Sequence, residues 1–310
     1  MHAKLLRTNR VRVDTRVVPS NVTYPTDSGL LAKAIRRIAA TRRRIQAAGG
    51  ATRTTVRDRS RSAGKRAHVI GAKLRIRSAA GKDEALAAVC RVTGELADLA
   101  ETAAKDADRV LVNAKRALRR ARTKAKQQQA NGSSEGAAAA GRRRGRLARA
   151  VDDLTDLVAA TRQIAAQTRQ RLAGVTPNGA TRRVSLHDPD ARPIAKGRLG
   201  KPVEFGHKAQ LADNEDGVVL DFTVEQGNPA DAPQLSPAVE RITRRTGRPP
   251  RAVTADRGYG EQKVDTLHGV GVRTVVIPRK GRPGKARQAE EHRPAFRRTI
   301  KWRTASRAGS

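Results

Sequence analysis

Aromatic side chains are nearly absent from this sequence: three Phe, two Tyr and one Trp make up 2% of 310 residues. Proteins that grip single strands or RNA stack bases on aromatic rings, so a chain this poor in them is not built as a stacking platform. Cysteine is as scarce. The single Cys90 excludes an internal disulfide and any zinc site made of several cysteines. No apolar run approaches the length of a membrane span, and no signal peptide precedes the first basic residues, which predicts a cytoplasmic protein with no membrane partner. Acidic residues are the fourth shortage: 29 stand against 65 Lys plus Arg, for a formal net charge of +36. A field of that sign ill suits an enzyme of small-molecule substrates and attracts polyanions, nucleic acid above all. With little to stack on, double-stranded DNA held through its phosphates is the expected partner. The same composition also describes a basic helical protein that coats DNA, its charges solvated and its chemistry nil.

What is present falls into three parts: residues 1–29, 30–179 and 180–310. In "VRVDTRVV" (11–18), Val11, Val13, Thr15 and Val17 alternate with Arg12, Asp14 and Arg16, the period of a strand. Turn formers follow, and Asp27 or Ser28 is placed to cap a helix beginning near Leu30. The second part is helical. Val89, Leu96, Ala103, Val110 and Ala117 recur seven apart, and Leu147, Val151, Leu154, Val158, Thr161, Ala165, Thr168 and Leu172 alternate steps of four and three. Two such seams predict an antiparallel, coiled-coil-like helical hairpin, joined by a low-complexity linker over 127–145. In the third part "EFGHKAQLA" and "GVVLDFTVE" read as a hairpin turning at "DNEDG". A short helix from Ser236-Pro237 to Gly247, the strand in "RAVTADRGYG", a helix through Val264 and Leu267 and the strand "RTVVIP" complete the order.

Two aspartates occupy comparable places. Asp14 sits on a strand opposite its valines, and Asp256 ends a strand with Thr254 on its own face. A crossover through the 236–246 helix would lay the second strand parallel to the first. Carboxylates on neighbouring strand ends in a basic protein suit Mg²⁺, and two such ions can activate a nucleophile and stabilise a leaving oxygen at a phosphodiester. The competing reading is local: an Asp after a strand commonly serves a turn or a helix cap.

"VDTRVVPSNVTYPTDSGLLAKAIRRI", "HDPDARPIAKGRLGKPVEFGHKAQ" and "VTADRGYGE" with "VVIPRKG" resemble bacterial insertion-sequence transposases of the DDE class. The resemblance implies an α/β, RNase H-like fold: a mixed sheet interrupted, after its first strand, by a long all-helical insertion. It implies DNA cleavage and strand transfer with two Mg²⁺ ions, no small-molecule substrate, and a homo-oligomer as one possible working state. By it Asp14 is the first catalytic and metal-binding acid and Asp256 the second. Arg16, where a threonine is usual, adds charge near the metal. In "HDPDAR", His187, Asp188 and Asp190 are tempting ligands, with an Asx-type turn as the alternative, and Asp188, Asp190 and Asp27 are secondary candidates. The loop "RKGRPGKAR" reads as a phosphate contact through Arg279, Lys280, Arg282, Lys285 and Arg287, joined by Lys196 and Arg198 of "AKGRLG".

The family's third acid is a glutamate just downstream of a "WRT" stretch. Trp302, Arg303 and Thr304 are here and no carboxylate follows, while Glu290 and Glu291 lie too early. The helical region that precedes the first strand in full members is also missing. Plausible codons for Ser306 to Ser310, read one frame over, encode Glu-Gly-Arg-Ile, the run expected there. The sequence therefore predicts a transposase by descent, shortened at both ends, frameshifted near codons 304–306, and inactive as it stands.

Overall fold

The computed structural model describes residues 7–20, 25–76, 79–130, 137–196, 200, 202–260 and 263–305. It divides into two compact units, a sheet unit (1–20 with 190–310) and a helical unit (21–189). Arg198 and the stretch 306–310 lie outside the described residues. Among the described residues no helix is long and apolar enough to cross a membrane.

The sheet unit is built on β1 (Arg10–Pro19), whose alternation sends Val11 and Val13 into a fully buried core and leaves Arg12 and Asp14 on the opposite face. β2 (Arg192–Ala195), β3 (Val203–Asn214), β4 (Val219–Glu225), β5 (Ala252–Thr254) and β6 (Thr274–Val276) complete a six-stranded mixed sheet of order β2-β3-β1-β5-β6, with β4 also on β3. β1 pairs antiparallel with β3 and parallel with β5, as the crossover argument requires. β2 was not anticipated: "RPIA" is too short, and begins with too polar a pair, to show a period. At Gly206, with φ +157°, β1 and β2 flank β3 together. A Cβ there would stand 2.1 Å from the Val18 carbonyl oxygen, so no other residue lets β1 pair along its full length.

The β3–β4 turn is organised by Asn214, whose Oδ1 accepts from the N–H groups of Asp216 and Val218 at 2.9 Å each. Helix α5 (Ala232–Thr246) starts four residues earlier than Ser236 because Pro233 suits a first turn, and it ends at Gly247 in the left-handed conformation (φ 73°). Its apolar face, Leu235, Val239 and Ile242, joins Val11, Val13, Val253 and Ile277 in one core. Each fully buried aliphatic side chain there contributes about 1.5–3 kcal/mol. A short helix over Lys263–Gly269 (α6), then α7 (Lys285–His292) and α8 (Pro294–Ala305), close this unit.

The helical unit is a bundle of four, not a hairpin of two. Helices α1 (Asp27–Ala47), α2 (Ser60–Lys73), α3 (Ala79–Ala130) and α4 (Ala137–Leu172) share one core. The antiparallel α3–α4 pairing is there: Arg169 reaches Asp98 while Arg162 reaches Asp108. But α3 buries Ala97, Ala100 and Ala104 as well as Leu96, Ala103 and Val110, a face wider than one seam, because α1 and α2 lie on it too. Small side chains let those backbones approach closely. The linker shrinks correspondingly: helix continues to Ala130 and resumes at Ala137. The cap of α1 is Thr26, whose side-chain oxygen accepts from Gly29 N at 3.1 Å, so the helix begins at Asp27 instead of being capped by it.

Candidate active site

Asp14 and Asp256 line one cleft of about 650 Å³, with Thr15, Arg16, Lys196, Glu204, Lys208, Asn228 and Asp231 among its walls. The strand order does this. Asp14 lies midway along β1, and the parallel register that sets Arg12 beside Thr254 brings Asp256, two residues beyond the end of β5, level with Asp14. Asp256 caps the single 3-10 turn Arg257–Tyr259, its Oδ1 accepting from Gly258 N at 2.7 Å. The local reading of Asp256 as a cap and its place in the cleft are therefore both true: one oxygen is tethered by the turn.

Sequence reasoning missed Asp231. It precedes α5 and looks like a helix cap, yet it makes no capping hydrogen bond. Its Oδ1 lies 2.7 Å from Lys208 Nζ on β3, and that ammonium also donates to the Pro229 carbonyl at 2.7 Å. Both side chains are largely buried. A Cβ on Gly258 would be 2.9 Å from Asp231 Oδ2 and 2.9 Å from Asp256 Oδ1, so these two carboxylates flank the glycine, at most twice that distance apart. Behind them Tyr259 is fully buried, its hydroxyl accepting from Gln210 Nε2 at 3.1 Å. Burial pushes the phenol far above its ordinary pKa, against the pull of the Gln210 bond, and the nearby charges of Asp231, Asp256 and Asp14 push it further. Tyr259 therefore stays protonated and neutral.

Hard oxygen donors of this kind suit a hard divalent cation, and the tether on Asp256 Oδ1 fixes the carboxylate's direction. Asp14 and Asp256 are the pair that would hold such an ion. Among the described residues, however, no group of three or more His, Cys, Asp or Glu is placed to hold a metal.

The remaining candidates are elsewhere. Asp27 is buried in the helical unit against Arg171 and Arg182, at 3.4 and 3.5 Å, where it is structural. Asp188 belongs to the same unit, and its N–H, like that of His187, donates to Ser185 Oγ. Ser185 thus helps to shape this turn. Asp190 accepts from Gln226 Nε2 at 2.7 Å and is not among the cleft's walls. Of the basic candidates, Lys196 lines the cleft. Lys280, Arg282 and Lys285 are exposed, and Arg279 donates its backbone N–H to Glu291. Arg287 is committed internally: it bonds Glu290, Glu291 and the Ile277 carbonyl and lies 5.5 Å from the Phe296 ring centroid, holding α7 to β6 and α8. The same contacts occupy Glu290 and Glu291, away from the cleft.

A family model described as a transposase DDE domain matches residues 180–310, a span that contains Asp231 and Asp256 and not Asp14. No curated protein and no solved structure matches the chain.

Proposed function

We propose that the cleft is the site of phosphodiester cleavage and strand transfer, with Asp14 and Asp256 as the metal-holding acids: a transposase DDE-domain model matches residues 180–310, and that family acts on DNA and depends on divalent metal. One observation carries this reading: two carboxylates from opposite ends of the sequence line the same cleft. Mg²⁺, when bound, would polarise a phosphoryl oxygen and activate the attacking oxygen. The chain's own residues orient the DNA. Arg16 and Lys196 set positive charge on the walls that hold the acids, where a phosphodiester must enter. Lys208 already balances Asp231, so the pair adds shape and no net charge.

A third acid is wanting. Helix α8, "PAFRRTIKWRTA", follows the last strand and carries no Asp or Glu, and Glu290 and Glu291 are occupied by Arg287. A site held by Asp14 and Asp256 alone should cleave DNA orders of magnitude more slowly than one with a third acid, since members of such a site act as a unit. The second reading, a basic DNA-binding protein without chemistry, rests on the formal net charge of +36.

Mn²⁺ binding to the purified chain, read by electron paramagnetic resonance, tests the site apart from turnover. Asp14→Ala and Asp256→Ala should each lose it, and unchanged binding would sink the assignment. Mg²⁺-dependent nicking of a duplex bearing the element's ends separates the two readings. Fast nicking by the chain as it stands would refute the incomplete site, and none at all, even at long times, would favour the binding protein.

A further inference from the structure

The sheet unit has a second concavity of about 680 Å³ that shares no lining residue with the cleft. It lies where β1 and β5 begin, about 13 Å from Asp14 by the four-residue rise of β1 from Arg10. Four of its walls are Arg7, Arg10, Arg251 and Arg298, against a single carboxylate, Glu215. Arg7 is paired with Asp216, and Glu215 accepts from the Arg10 backbone N–H at 3.0 Å. The side chains of Arg10, Arg251 and Arg298 have no carboxylate partner among the described residues, and all three residues are exposed. Several arginines elsewhere in the unit are matched: Arg12 to Asp213, Arg241 and Arg245 to Asp221, Arg287 to Glu290 and Glu291. Three unmatched guanidinium groups facing one concavity repel one another, and low-dielectric walls concentrate their field. Their planar forks suit phosphate oxygens.

We propose that this groove is a separate binding site for the phosphodiester backbone of a DNA segment other than the one in the cleft. The inference is independent of whether the cleft cuts DNA. Trp302 forms part of the wall, half-buried, with the Arg12 guanidinium 5.6 Å from its ring centroid. It is the chain's single tryptophan, so its emission reports on this groove and nothing else.

The experiment titrates the full chain with a short duplex of arbitrary sequence, following Trp302 emission and, in parallel, the anisotropy of labelled duplex. Emission should change over the concentration range in which the duplex binds. Arg251→Glu with Arg298→Glu should abolish the emission change and weaken binding by roughly tenfold or more, with the salt slope reduced by about two. A charge-matched control, Arg116→Glu with Arg120→Glu on the exposed side of α3, should leave the emission response intact. Circular dichroism checks that the variants fold, and Arg251→Gln with Arg298→Gln gives the same reading with a milder change. Emission that stays flat in the wild-type chain at saturating DNA overturns the proposal, as does a control that abolishes the response equally.

Discussion

Gly258 is the residue on which the two C-terminal acids of the cleft meet. Its N–H tethers Asp256, and its bare Cα leaves room for the Asp231 carboxylate that Lys208 holds on the other side. A methyl group there would stand 2.9 Å from an oxygen of each, closer than real Cβ contacts come, so one carboxylate must turn away. Gly258→Ala is therefore expected to weaken Mn²⁺ binding several-fold while thermal stability changes by less than about 1 kcal/mol. Gly64→Ala in α2, where a Cβ meets nothing within 4 Å, serves as the control: metal binding unchanged and stability raised by about 0.5–1 kcal/mol. Equal metal affinity in Gly258→Ala and the parent chain would mean that the direction of the Asp256 carboxylate does not matter to the ion. At this scale the sequence showed Asp14, because a charge alternating with buried valines is visible in one strand. It hid Asp231 and the internal partners of Arg287, because those contacts are decided by Lys208, Glu290 and Glu291, and no local pattern names a partner.

Elements were legible where a single period dominated. β1, β3, β4, β5 and β6 follow from alternation and turn residues, and the α3 and α4 seams follow from their repeats. The number of neighbours was not legible: a repeat shows which face is buried and not how many helices bury it, so a bundle read as a hairpin. Nor does the repeat show how helices start. The N-terminus of α2 is held by Asp58, two residues before Ser60, whose Oδ1 accepts from Ser60 N at 2.9 Å, and whose Oδ2 lies 3.1 Å from Arg43 Nη1. The Ser60 hydrogen bonds, with Arg43 as the smaller cause, lower the Asp58 pKa below its ordinary 3.8. A carboxylate with a lowered folded-state pKa contributes stability above its unfolded value and loses it as pH falls through the folded one. Asp58→Ala should thus cost about 1 kcal/mol or less at neutral pH, the size of a partly exposed helix-start contact. The gap between variant and parent should close as the solution is acidified below 3.8. Urea unfolding followed by helical circular dichroism at neutral and acid pH measures it. A gap that stays constant across that range would show that the carboxylate's charge is not what holds the start of α2.

For the molecule as a whole, charge outweighs every local feature. Both units carry an excess of basic over acidic residues, and the total reaches +36. Part of the basic charge is engaged: Arg12, Arg59, Arg66, Arg162, Arg169, Arg241 and Arg287 all face carboxylates inside their own unit, so the phosphates the protein can neutralise are fewer than its basic residues. Arg10, Arg251 and Arg298 of the second groove and the exposed Lys280, Arg282 and Lys285 are among those that remain. Stacking adds little, since aromatic residues are 2% of the chain, Tyr259 and Phe296 are buried and Trp302 is half-buried beside Arg12, with Phe222 an exposed ring. Affinity for duplex DNA should then come almost entirely from released counterions. A plot of log affinity against log salt should fall with a slope of magnitude about 5 or more, corresponding to roughly six neutralised phosphates at about 0.9 each. The slope should be the same for a duplex of arbitrary sequence as for the element's ends. An oligothymidine of equal length should bind more weakly with a shallower slope, because single strands release fewer counterions and find few rings to stack on. Fluorescence anisotropy across a salt series on the three ligands decides it. A slope near zero, or tighter binding of the single strand, would mean that recognition rests on contacts other than the phosphates this charge distribution is built to hold.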